Sequence, residues 1–133
     1  MQEVKKDGIL YAIHFSLDNM PNGFNWHGTK DDTMQLATRK YKGEIGKKLR
    51  NHWHEKIVRE VNKTQECMIL IEGKMKARVY DKNNILLKEM DMRPGDCVIF
   101  YTGGHGYTVC SDRFMAYEVK AGKYVDDMKE ILP

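Results

Sequence analysis

The sequence predicts an all-β protein, and three observations carry the prediction. Residues 74–80 (Lys-Met-Lys-Ala-Arg-Val-Tyr) alternate polar and apolar with period two, the signature of a strand with one face buried and one in water. From about residue 34 onward, short apolar runs are separated by turn formers at close intervals. Those turns carry their own chemistry: Pro94-Gly95, Gly103-Gly104 and Asn83-Asn84. Eight or more short strands with few helices fit a closed barrel or a two-sheet jelly roll, both of which remove exposed edges.

The elements follow in order. The first 33 residues read as a short loop and strand extension, with 18–32 a loop rich in Asp, Asn, Pro and Gly. His14 lies in Tyr-Ala-Ile-His-Phe-Ser and reads as a packed or surface histidine in a strand. Gln35, Arg39 and Tyr41 share one parity in the next strand. If that parity faces inward, Gln35 and Arg39 can contact a polar substrate; if not, Arg39 stands in water beside Lys40 and Lys42. Residues 66–71 (Glu-Cys-Met-Ile-Leu-Ile) are continuously apolar after the glutamate, so this strand is expected to be buried on both sides before Gly73 turns the chain. Residues 74–80 bury Met75, Ala77 and Val79. Asp81 to Asn84 form a hairpin loop, 85–92 a strand, Arg93-Pro94-Gly95-Asp96 a β-turn and 97–101 a strand. Residues 107–110 and 114–120 are the last strands, and 125–132 have room for one short helix.

Length and composition bound the rest. The 133 residues suit a single domain with its core over about 34–120. Such a chain buries roughly two thirds of its unfolded surface and needs no disulfide to fold. Hydrophobic content of 41% and charged content of 31% are ordinary for a globular protein. A net charge of +3, from 22 basic and 19 acidic residues, is too weak for nucleic-acid binding. The one basic cluster, Lys47-Lys48-Leu49-Arg50, reads as a solvated strand edge or as a lure for an anionic substrate near His52. The three cysteines, Cys67, Cys97 and Cys110, are odd in number and lack CxxC spacing. They read as small buried hydrophobes rather than a disulfide framework or a zinc site. No apolar run follows the N-terminus and none reaches a membrane span, so the expected setting is the cytoplasm.

The chemistry concentrates in five histidines: 14, 27, 52, 54 and 105. His52-Trp53-His54 is a HxH triplet. In a strand its two imidazoles point to one face, close enough to share a metal ion, with Trp53 on the other. Imidazole suits Zn, Fe, Ni, Cu and Mn alike. Five residues stand between Gly46 and the triplet, and six between Glu66 and Gly73. Later, Gly95 is followed by five residues and then Tyr101-Thr102-Gly103-Gly104-His105.

In these two motifs the chain resembles the cupin family over about residues 34–120. It departs from the family pattern in three places. Eleven residues separate His54 from Glu66 where the family has a short gap, Tyr101 stands where the family has proline, and the last spacing before His105 is one residue short. The resemblance implies a cupin-type jelly-roll barrel holding one divalent ion (Mn, Fe, Ni, Zn or Co). Its ligands would be His52, His54, Glu66 and His105, with Glu60 the alternative to Glu66. Glu66 is preferred because it opens a buried strand, where a carboxylate needs a partner or a metal. Tyr101, His27, Gln35 and Arg39 are candidate catalytic groups around that ion, Tyr107 a second candidate phenol, and Glu118 a partner for a ligand histidine. The resemblance also implies a homodimer acting on a small molecule. The leading expectation is an isomerase or epimerase of a small polar or sugar-derived substrate. The alternatives are a non-haem Fe(II) dioxygenase and a non-catalytic ligand-binding cupin.

Overall fold

The computed structural model describes residues 1–123, 125, 126, 128, 129 and 131. Ten strands form among the described residues: β1 (Gln2–Lys6), β2 (Ile9–Phe15), β3 (Gly23–His27), β4 (Leu36–Lys40), β5 (Glu66–Glu72), β6 (Met75–Tyr80), β7 (Leu86–Met92), β8 (Cys97–Phe100), β9 (Gly104–Val109) and β10 (Met115–Lys120). The one helical turn among the described residues is a 3-10 turn at Leu17–Asn19. No helix there is long and apolar enough to cross a membrane. The helix expected over 125–132 falls partly on residues outside those described.

The strands form three antiparallel sheets. One has five strands in the order β1-β2-β8-β5-β10, one has three in the order β7-β6-β9, and β3-β4 is a separate hairpin. The expected all-β class holds. The sheets are not closed into a barrel: β1 and β10 end the larger sheet, and β7 and β9 end the smaller one.

Two elements differ from expectation. The region 18–32 contains β3, which pairs with β4 from Gly23↔Lys40 to His27↔Leu36. Phe24 and Trp26 alternate with Asn25 over only five residues, too short a signal to stand out among the flanking Pro, Asn and Gly. Conversely, the strand expected at His52-Trp53-His54 is absent, and the described chain is irregular from residue 41 to 65. A strand there would place Lys47, Asn51, Glu55 and Arg59 on the same face as Ile45, Leu49, Trp53 and Ile57. Neither face is then apolar enough to bury.

The core has two layers because the larger sheet is covered on both sides. Met68, Leu70, Val98 and Phe100 point toward β6 and β7, meeting Met75, Ala77, Val79, Met90 and Met92. Cys67, Cys97 and Ile99 point the other way, with Ile13, Phe15 and Tyr101, and are covered by Met34 and Leu36. This explains the continuous apolar run of β5. Successive side chains of a doubly covered strand alternate between two cores, so both parities are apolar. Only Ile71, at the strand's end, is 38% exposed.

Turn chemistry sets the registers. Gly73 has φ +90°, and a Cβ there would lie 2.1 Å from the Arg113 carbonyl oxygen. Only glycine fits both the conformation and the space. Asp81 Oδ1 accepts hydrogen bonds from the Asn83 and Ile85 amides at 2.9 Å each, closing the β6–β7 loop, and Asn84 takes φ 63° as expected. The Arg93–Asp96 turn closes through the Asp96 amide to the Arg93 carbonyl at 2.9 Å. Asp96 Oδ2 receives the Arg93 amide at 3.0 Å and His14 Nε2 at 3.2 Å, which makes His14 a packed histidine.

Candidate functional site

Glu66 begins β5 with its side chain on the face that looks toward β6 and β9, and it is 8% exposed. A carboxylate in that position requires partners, and it has two. His105 Nε2 donates to Glu66 Oε2 at 2.8 Å, and Lys120 Nζ donates to Glu66 Oε1 at 2.7 Å. Register supplies both. Lys120 is paired directly opposite Glu66 on β10, and His105 is paired with Val79 at the start of β9. The turn into β9 depends on Gly103, whose φ is +76° and whose Cβ would lie 2.2 Å from the Tyr80 carbonyl oxygen.

Aromatic packing holds the imidazole in place. His105 stacks on Phe100, the residue paired with Glu66 on β8, with ring centroids 4.4 Å apart and planes 19° from parallel. Tyr107 lies 5.6 Å from the His105 ring and 5.9 Å from the Phe100 ring. Its hydroxyl is buried and finds no hydrogen-bond partner among the described residues. Burial, with the nearby Glu66 and Glu118 carboxylates, pushes the Tyr107 phenol well above its ordinary range, so it stays protonated. Lys120 bonds to Glu118 as well, at 3.2 Å. Its ammonium is held above the usual lysine range, chiefly by the hydrogen bond to Glu66. The His105 side chain is 26% exposed and that of Lys120 is 46% exposed, so the cluster opens to solvent along the β10 edge. An imidazole, a carboxylate and an ammonium therefore meet at one partly exposed spot, with the buried Tyr107 ring beside the imidazole.

The remaining candidates lie elsewhere. His52 and His54 are exposed in the irregular segment, their rings 4.9 Å apart and edge to face, with His52 Nδ1 bonded to the Arg50 carbonyl at 2.9 Å. Glu60 is exposed in the same segment. Among the described residues, no three His, Cys, Asp or Glu side chains gather as a metal-ligand set. Tyr101 belongs to the opposite core layer. Its hydroxyl is also buried without a partner among the described residues, and burial first, then the Asp32 charge, pushes it well above the ordinary phenol range. His27 bonds to Thr38 Oγ1 at 2.8 Å and packs edge-on against Phe15, and burial lowers its basicity. Gln35 donates to the Thr29 carbonyl at 3.3 Å, and the Arg39 guanidinium sits 4.0 Å over the Phe24 ring. The structure thus brings together Glu66 and His105 of the expected ligands, and none of the four expected catalytic groups beside them.

Lys120 is a partner of Glu66 that the sequence does not reveal. Nothing local announces it, because the pairing depends on the register of two strands far apart in sequence. No protein-family model, curated protein or solved structure matches the chain.

Proposed function

We propose that the chain is a metal-binding protein of the cupin type, a jelly roll in its finer topology, and that it acts as an isomerase or epimerase on a small polar substrate. In this reading Glu66 and His105 would hold one divalent ion. His52 and His54 would complete the ligand set, which requires the 41–65 segment to bring them to Glu66 and His105. The observation that carries the reading is the pair itself: a buried carboxylate and an imidazole 2.8 Å apart, on neighbouring sheets, beside a buried phenol with no hydrogen-bond partner among the described residues.

The donor chemistry fits an ion. One carboxylate and one neutral imidazole are hard-to-borderline ligands, and the His52 and His54 rings, close to each other in the irregular segment, offer two more of the same kind. When bound, the ion supplies Lewis acidity to a substrate carbonyl or paired hydroxyls. The protein's own groups do the rest. Phe100 fixes the plane of His105 by stacking. Lys120 attracts an anionic or hydroxyl-rich substrate to the mouth and neutralises whichever Glu66 oxygen is not engaged. Tyr107, kept protonated by burial, would serve as a hydrogen-bond donor on the interior side rather than as a proton source.

Trp53 lies between the two outer histidines and is 80% exposed, so it reports closure of the segment. In a Trp26→Phe background, metal-stripped protein titrated with Mn(II), Fe(II), Co(II), Ni(II) or Zn(II) is expected to show a saturable change in Trp53 emission with at least one ion. His52→Ala/His54→Ala is expected to abolish that change and weaken binding. Metal binding with no change in Trp53 would remove the outer histidines from the site. No binding by any of the ions would remove the whole reading. Where an ion binds, incorporation of solvent deuterium into aldose or ketose substrates tests the isomerase assignment.

A further inference from the structure

Cys67 and Cys97 are separated by 29 residues in sequence but sit on adjacent strands of the larger sheet. Their sulfurs are 3.3 Å apart, both side chains are buried, and both thiols are free. They lie in the apolar layer with Phe15 and Ile99, on the opposite face of the sheet from Glu66. Nothing in the proposed metal chemistry uses them.

Their placement is diagonal. Cys67 is paired with Ile99, and Cys97 with Ile69, so each cysteine is two residues along from direct opposition to the other. Diagonal neighbours on adjacent strands stand farther apart at Cβ than the roughly 3.5–4.5 Å a disulfide prefers. A bridge therefore has to pull β5 and β8 against their ladder. A bond formed under that load is more easily reduced than a relaxed structural disulfide.

We propose that Cys67 and Cys97 are a redox-active thiol pair, oxidised by hydrogen peroxide to a reversible intramolecular disulfide. One sulfur, as thiolate, attacks the peroxide O–O bond and becomes a sulfenic acid, releasing the first water. The second sulfur displaces the sulfenic hydroxyl as a second water, and the S–S bond forms. Two electrons pass from the thiol pair to the peroxide, and the two thiol protons leave in the two waters. Because Cys67 is bonded directly to Glu66, oxidation also shifts the strand that carries the carboxylate. The thiol chemistry does not depend on metal binding at that carboxylate.

The test uses the full chain carrying Cys110→Ser, which removes the exposed third thiol. The folded protein is treated with hydrogen peroxide, quenched, denatured and alkylated, then weighed by mass spectrometry. The expected result is loss of both alkylation sites and a mass about 2 Da below the reduced chain, restored by dithiothreitol. Cys110→Ser/Cys97→Ser is expected to give no such intramolecular species. The proposal is overturned if both thiols remain alkylatable after peroxide. It is also overturned if they are lost only as sulfinic acids or as links between chains.

Discussion

Asp32 and Gln65 show how single polar side chains hold the start of the site strand. Gln65 is fully buried immediately before Glu66, yet every polar atom of its amide is used. Its oxygen accepts from Thr33 Oγ1 at 3.0 Å and from the Met34 amide at 2.7 Å. Its nitrogen donates to Asp32 Oδ1 at 2.8 Å and to the Tyr101 carbonyl at 3.2 Å. Asp32 in turn accepts from the Thr29 amide and hydroxyl at 2.7 and 2.9 Å. Replacing Gln65 with Leu strands several buried groups and is expected to cost about 2–3 kcal/mol, measured by urea unfolding. Burial works against the Asp32 carboxylate, but the Thr29 and Gln65 hydrogen bonds and the nearby Lys63 charge outweigh it and lower its pKa. A carboxyl depressed in the folded state stabilises above its unfolded value, and that stability is lost as pH falls through the folded one. Unfolding midpoints are therefore expected to fall below about pH 4, with a smaller slope in Asp32→Asn. A Gln65→Leu chain as stable as wild type would show that this network is not holding β5.

Elements were legible where one local pattern decided them. The period-two run of β6 is buried at Met75, Ala77 and Val79 as read, and the Arg93–Asp96 and Asp81–Asn84 turns fall where their residues put them. Glu66 was legible as a carboxylate opening a buried strand, and His105 as the residue behind a glycine turn. What was not legible depended on pairing across distance: Lys120 opposite Glu66, Phe100 beneath His105, and the cysteine pair. The HxH triplet failed as a strand because its flanks put charges on both faces, although its local parity looked right. The Gly73 turn ties these distant parts together, since its Cα packs against the carbonyl of Arg113 on the segment leading to β10. Gly73→Ala is expected to cost about 2–4 kcal/mol through positive φ and the clash together, read as a lowered melting temperature. An unchanged melting temperature would mean the Gly73–Arg113 approach is not needed for the fold.

At the scale of the molecule, a five-stranded sheet is covered on one face by three strands and on the other by a hairpin. Leu70 is fully buried in the layer shared by the two larger sheets. Leu70→Ala is expected to cost about 2–5 kcal/mol, because rigid strands on both sides limit collapse around the cavity. The same two-sheet packing sets Glu66 and His105 face to face, at the proposed seat of the ion. The most direct measurement of that ion is the metal content of untagged protein grown with Mn, Fe, Co, Ni and Zn, compared with Glu66→Gln and His105→Ala variants that remain folded. The prediction is about one divalent ion per wild-type chain, with most of it lost in both variants. Wild-type protein carrying no more metal than the two variants would contradict it.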